Sequence, residues 1–411
     1  MRALLDLAVD HPRLARAAGT VSAAVRQHDA LAKRRLEDEL VVVDVELLAA
    51  GRDGDPEAHG SPGAGRKAAI IACRPEGPFT LMRPRPLLHV VQRCVPRAVP
   101  RSLPRRFRRP RLLVVGCGDV GMRLLRQLMP RLRDALGVVA VTRRPEQQAA
   151  ARALGARAIA ADLDQRRSLR RLAAFADWLI DLAPPPADGG RDDPRTARLI
   201  AACRPALRRR RARTSSTRWV YVSTTGVYGD CGGAAFDETR PVAPASARAI
   251  RRVDAERRMR ALATTGVARV SILRAPGIYA QDRLPIERLR RGTPALADAD
   301  DVHTNHIHAD DLAQAAWLAL FRGRAGRVYH AVDDTDLKMG AYFDKVADAL
   351  GLPRPPRLSR VAIAEQVSPA MLSFMSESRR LSNRRLKREL RCRLRWPTVD
   401  STLAATAVSP N

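Results

Sequence analysis

The feature that most constrains this chain is the run Val114-Val115-Gly116-Cys117-Gly118-Asp119-Val120-Gly121. An apolar, strand-like stretch (111–117) leads into it, and a helix-like stretch beginning at Asp119 leads out. Each glycine of this G-x-G-x-x-G spacing has its own physical reason. Gly116 allows a tight turn, Gly118 lets the backbone approach an anion, and Gly121 lets the helix pack closely on the strand. The helix start then offers free N–H groups and the positive end of its dipole to a phosphate. Glycine spacing alone is weak evidence; what gives it meaning is the pattern around it.

That pattern is regular. Strand candidates at 111–117, 138–142, 157–162, 178–183, 218–224 and 268–274 alternate with helical stretches at 119–132, 145–155, 165–176, 194–210 and 246–266. Apolar strands alternating with such helices mean βαβ units and a buried parallel sheet. The predicted fold class is therefore α/β, a Rossmann-type doubly wound parallel sheet over 109–275. A small C-terminal α/β region over 276–411 is expected to complete the fold and the substrate pocket. Residues 1–108 read differently, with one helical stretch (12–40), a Gly/Asp/Pro-rich segment (51–66) and a Pro/Arg-rich segment (83–111). Prolines at that density oppose regular structure, so a poorly ordered basic extension is expected there. The alternative is an arm that docks on an acidic partner.

Net charge is +30, which raises nucleic acid as a partner. Nearly all of the excess is arginine, however, and the only lysines are Lys33, Lys67, Lys338, Lys345 and Lys387. Such a lopsided usage reads as compositional bias. Aromatic residues make up 4%, too few for base-stacking platforms, which argues against nucleic acid. No apolar run approaches the roughly 18 residues of a membrane span. Asp6 and Asp10 interrupt the apolar N-terminus, so it makes a poor signal peptide. The six cysteines (Cys73, Cys94, Cys117, Cys203, Cys231, Cys392) show neither a C-x-x-C pair nor zinc spacing. The chain reads as cytoplasmic.

The second strand bears on the choice of cofactor. An NAD site usually places an acid about 20 residues beyond the glycines to bind the ribose 2′-hydroxyl. Here that strand ends in Val141-Thr142-Arg143-Arg144. A carboxylate would repel a 2′-phosphate and guanidinium groups would grip one, so NADP(H) is expected ahead of NAD(H). Asp162 and Leu163 close the third strand, where adenine would lie. Ala183, Pro184 and Pro185 follow the fourth, beneath the nicotinamide ribose. The expected cofactor set is Gly116, Cys117, Gly118, Asp119, Val120, Gly121, Arg143, Arg144, Asp162, Leu163, Ala183 and Pro184.

Four further segments, VYVSTTGVYGD (220–230), ILRAPGIYAQDRLP (272–285), TNHIHADDLAQAAWLAL (304–320) and YHAVDD (329–334), resemble the extended short-chain dehydrogenase/reductase superfamily. Within it the likeness is to the NAD(P)-dependent epimerase/dehydratase group, over about residues 110–400. The resemblance implies a small hydroxylated or carbonyl substrate and a homodimer built by pairing helices. It places Thr224, flanked by Ser223 and Thr225, where a hydroxyl orients the substrate. The group's acid/base is a tyrosine in Y-x-x-x-K, whose phenol is acidified by the lysine. Counting from Glu256, Arg248 stands in the tyrosine's position and Arg252 in the lysine's. A guanidinium cannot shuttle a proton at neutral pH. Arg252 could still hold the nicotinamide ribose, and Tyr228 and Tyr279 are the nearest other phenols, Tyr228 being the expected donor. Two readings from other classes stay open: a cofactor-binding sensor or scaffold without turnover, and a binder of acidic surfaces through the basic arm.

Residues 303–308 read H-x-x-H-x-H, but on an extended segment only His306 and His308 share a face, so no metal site is expected. Asp310 and Asp311 are expected to cap the helix that follows. The tail beyond Leu381 is expected to form a surface helix and a closing strand with solvated arginines.

Overall fold

The computed structural model describes residues 109–175, 177–211 and 217–407. The expectations for residues 1–108, including Cys73 and Cys94, lie outside them.

Seven parallel strands form one sheet: β1 (Arg111–Val115), β2 (Gly137–Val141), β3 (Arg157–Ile159), β4 (Trp178–Asp181), β5 (Thr217–Thr224), β6 (Ala268–Ala275) and β7 (Arg327–His330), in the order β7-β6-β5-β4-β1-β2-β3. The strands alternate their side chains between two apolar layers. Leu112, Val114, Val138, Ala140 and Ile180 face one core; Leu113, Val115, Val139, Val141 and Leu179 face the other. Helices α1 (Asp119–Leu132), α2 (Pro145–Ala153) and α5 (Ala309–Arg322) cover the first layer. Helices α3 (Pro194–Arg211) and α4 (Ala247–Thr264) cover the second. The sheet is thus doubly wound, as the strand–helix alternation predicts, and its direction of winding reverses between β1 and β4. In such folds a ligand crevice opens at that reversal, outside the carboxyl ends of the strands.

The expected helix over 165–176 is instead a 3-10 run, Arg166–Phe175. Its two buried leucines, Leu169 and Leu172, are three residues apart, which suits three residues per turn. The Ser168 hydroxyl donates to the carbonyls of Asp162 and Gln165, pinning the start.

The expected division after Ala275 does not coincide with the architecture. Strand β7 pairs with β6, and α5 packs beside α1, so residues beyond 275 return to the sheet. The smaller region is built from the two excursions on either side of that return. In it Gly277–Tyr279 pairs with His306–His308, and His303–Thr304 pairs with Leu337–Lys338. Helix α6 (Met339–Ala349) and the final helix, Val399–Ala407, close over Tyr279, Leu284 and Leu289. The tail also departs from expectation. It forms the short helix Arg384–Glu389 and then Val399–Ala407, with no closing strand between them. Arg385 is not solvated; its guanidinium meets buried Glu238 at 3.3 Å.

Asp310 and Asp311 do not cap α5. His308 does, its Nδ1 accepting from Asp310 N at 3.2 Å. Asp311 turns away and accepts from the backbone N–H groups of Arg395 and Trp396, both at 2.9 Å. Asp310 instead meets Arg123 Nη1 at 3.1 Å, tying α5 to α1.

Candidate active site

At the carboxyl ends of β1, β2 and β4 lies a cavity of about 300 Å3. It is lined by Gly116, Gly118, Asp119, Arg143, Arg144, Asp162, Leu163, Ala183 and Pro184, among others. The turn that forms it needs glycine. Gly116 has φ +70°, and a Cβ there would lie 2.7 Å from Ala183 Cα and N. The Gly118 N–H donates to Gly116 O at 2.7 Å, tightening the turn, and the first α-helical bond is Met122 N–H to Gly118 O. The N–H groups of Asp119, Val120 and Gly121 therefore have no intrahelical acceptor. They form a cradle for an anion at the start of α1. The glycine turn and this cradle fit the pyrophosphate of a dinucleotide.

Three residues of the expected set serve the groove from behind. Cys117 is fully buried, its N–H donates to Val141 O at 3.0 Å, and burial pushes its thiol up to about 12. Contrary to expectation it packs behind the groove and does not line it. Gly121 is required by packing, since a Cβ there would lie 2.9 Å from Cys117 Sγ. The Val120 side chain packs on the core, leaving its N–H to the cradle. Asp119 does line the groove. Burial pushes its carboxyl up, but the guanidinium groups of Arg283 and Arg123 outweigh that and hold it below the usual range.

Beyond the end of β2, the Arg143 side chain is 63% exposed and within 3.7 Å of Asp162. Arg144 is exposed beside it. Arg195, which no local sequence signal marks, also lines the groove; it donates to Pro184 O at 3.1 Å and pairs with Asp164. Its placement follows from the start of α3, where Asp193 accepts from Arg195 N–H and from the Thr196 hydroxyl.

On the far side of β4, Thr224 closes β5, and its Oγ1 accepts from Gly226 N at 3.2 Å. Arg252 reaches the ends of β4 and β5 from α4. Its Nη1 donates to Val222 O at 2.8 Å and to Tyr221 OH at 3.0 Å, with Ala183 O at 3.5 Å. Beneath it, burial pushes the Asp181 carboxyl up to about 7.

The expected proton donor, Tyr228, is not in the cleft. It is 1% exposed, and its hydroxyl lies 2.5 Å from Arg274 Nη1 and 2.6 Å from His330 Nε2. Arg274 in turn grips Glu256 through two hydrogen bonds of 2.9 and 2.7 Å. This buried network needs the phenol as a structural link, and burial pushes that phenol up to about 12. Tyr279 is likewise committed, donating to Asp333 Oδ2 at 3.0 Å. Arg248 stacks on Phe374, 4.1 Å from the ring centre.

A second cavity, of about 180 Å3, opens beside Thr225. Met339, Tyr342, Phe343 and Phe374 give it apolar walls; His303, His306, Glu377 and Arg379 contribute polar groups. His306 stacks on Tyr342 with ring centres 4.4 Å apart, and burial pulls its imidazole down to about 4. His308 is pulled down to about 4 by burial as well, and both its nitrogens are engaged, by Asp310 N–H and Gln281. The histidine motif thus splits between a cavity wall and a helix cap. Glu377 was not legible beforehand, because it lies about 150 residues from Thr224 in a segment without periodicity.

A doubly wound sheet with a glycine turn and anion cradle at its reversal point defines a Rossmann-type dinucleotide-fold protein. Residues 112–332 match the NAD dependent epimerase/dehydratase family, and the chain belongs to that family. It is 30% identical to a dTDP-glucose 4,6-dehydratase of Streptomyces niveus over 128 residues, 29% of this chain and 38% of that protein. The match thus spans well under half of that relative. Among solved structures, a functionally unknown conserved protein from Silicibacter pomeroyi superposes with a TM-score of 0.59 at 29% identity, covering 72% of this chain and 98% of that one. A dTDP-glucose 4,6-dehydratase from Streptomyces venezuelae, solved with NAD, gives 0.58 at 22% identity over 72% and 96% of the two chains. That second likeness is one of fold.

Proposed function

We propose that this chain is an NAD(P)-dependent oxidoreductase or epimerase/dehydratase-like enzyme for a small hydroxylated or carbonyl substrate. The observation that carries this reading is the close packing of Gly116 on Ala183 in a groove with an anion cradle at the start of α1. A bound nicotinamide would supply hydride exchange with a substrate carbon. Asp119, Val120 and Gly121 would hold the pyrophosphate through their N–H groups. Arg143 and Arg144 favour a 2′-phosphate, so NADP(H) is the proposed cofactor. Arg252 would hold the nicotinamide ribose, and Thr224 Oγ1 would orient the substrate oxygen.

The test is a screen of small ketones, aldehydes and secondary alcohols that follows nicotinamide absorbance. Turnover with some member, reduced roughly 10- to 100-fold in Thr224→Ala, supports the reading. Tight NADPH binding without turnover across the panel would favour the second reading, a non-catalytic cofactor sensor. Arg248 in the position expected for tyrosine is the observation on that side.

A further inference from the structure

The substrate's proton has no phenol to go to, and the geometry points to Glu377 as the group that takes it. This rests on the reading of the groove given above. Glu377 follows the short helix Pro369–Phe374, and its loop is pinned to the turn after β5. Ser378 N–H donates to Asp230 Oδ1 at 2.7 Å, Cys231 N–H donates to Ser378 O at 3.0 Å, and Arg379 Nη1 donates to Gly229 O at 2.7 Å. These bonds bring a carboxylate to the face of Gly226. The point where a Gly226 Cβ would stand is 3.6 Å from Thr224 Oγ1 and 3.9 Å from Glu377 Oε2. The two oxygens therefore look onto one small space, bordered by the absent side chain of a glycine.

Chemistry selects Glu377 from its neighbours. Arg248 and Arg379 cannot give up a proton at neutral pH. Position excludes the imidazoles: the three heavy atoms nearest the Gly226 Cβ point are Thr224 Oγ1, Thr224 Cγ2 and Glu377 Oε2, and no atom of His303 or His306 is among them. Arg379 Nη1 donates to Glu377 Oε2 at 2.7 Å and so fixes the oxygen that stands nearest the Gly226 point. In the oxidation direction the substrate O–H bond breaks, its proton goes to Glu377, and the carbon's hydride leaves to the oxidised nicotinamide cofactor. An alcohol becomes a carbonyl, and the reverse direction returns the proton.

The test uses the full chain with NADP+ and the electrophile bromoacetone. A carboxylate in this position attacks the carbon bearing bromine, forming an acetonyl ester and releasing bromide. Mass spectrometry is expected to find the ester on Glu377, formed at least roughly tenfold faster than on other carboxylates. Gly226→Ala should slow it, because its methyl fills the shared space at ordinary contact distances of 3.6 to 3.9 Å and the fold need not shift. No ester on Glu377 in a chain that binds NADP+ overturns the inference. Failure to bind NADP+ removes the reading beneath it, and the inference with it. For any alcohol turned over, Glu377→Gln should lower kcat by roughly 10²- to 10⁴-fold and flatten its pH profile, with NADPH affinity kept. Glu377→Asp should recover part of the rate. Unchanged turnover in Glu377→Gln also overturns it.

Discussion

Gly116 sits so close to Ala183 that a single added methyl would lie 2.7 Å from the Ala183 backbone. The contact joins the turn after β1 to the end of β4, the two strands between which the winding reverses. Gly116→Ala would place a Cβ in that gap and force a non-glycine residue to φ +70°. The left-handed conformation alone costs about 1–2 kcal/mol. Urea unfolding should show a loss of at least ~2 kcal/mol, and NADPH binding should weaken by more than the stability loss explains.

Tyr228→Phe separates a structural phenol from a chemical one. Its hydroxyl links Arg274 to His330, both buried, so its removal leaves two polar groups short of a partner. A loss of about 1–3 kcal/mol in unfolding free energy is expected, with turnover of the folded enzyme kept within a few-fold. Abolished turnover at unchanged stability would contradict the placement.

Burial pulls the His306 imidazole down to about 4, below the ordinary value of 6.5. Between those values the unfolded chain binds a proton that the folded chain refuses, so stability is lost as pH falls from about 6.5 to about 4. One such group changes unfolding free energy by ~1.4 kcal/mol per pH unit within that window. His306→Gln removes this dependence. Its stability deficit, measured by urea unfolding at pH 7.5 and pH 5, should shrink at the lower pH.

Arg143 and Arg144 are the groups proposed to hold a 2′-phosphate. A charge-assisted hydrogen bond contributes about 1.5–3 kcal/mol, so Arg143→Ala/Arg144→Ala should weaken NADPH by at least roughly tenfold. Binding of NADH should change by less than about threefold. Equal losses for both would assign the arginines to the fold of the groove rather than to the phosphate.

The sheet was legible because its causes are local. Leu112 through Val115 and Val138 through Val141 are apolar runs whose alternate side chains enter the two cores. Gly116 and Gly121 were legible through the G-x-G-x-x-G spacing, which marks the tight turn itself: Gly116 has φ +70° there and Gly121 meets Cys117 four residues back, although the Gly116 contact with Ala183 is long-range. The region beyond β5 was harder. Tyr228 follows Thr224 closely in sequence, yet the short helix Thr225–Tyr228 turns its ring into the core. Asp310 and Asp311 look like caps, but long-range partners, Arg123 and the backbone at Arg395 and Trp396, claim them. Arg195 and Glu377 reach the site through contacts between distant segments, and periodicity carries no trace of such contacts.

Calorimetric titration of the full chain with NADPH and NADH decides whether the groove beside Gly116 binds a nicotinamide dinucleotide. One-to-one micromolar binding that prefers NADPH and is lost in Gly116→Ala is expected. Binding of neither cofactor by the folded wild-type chain would contradict it.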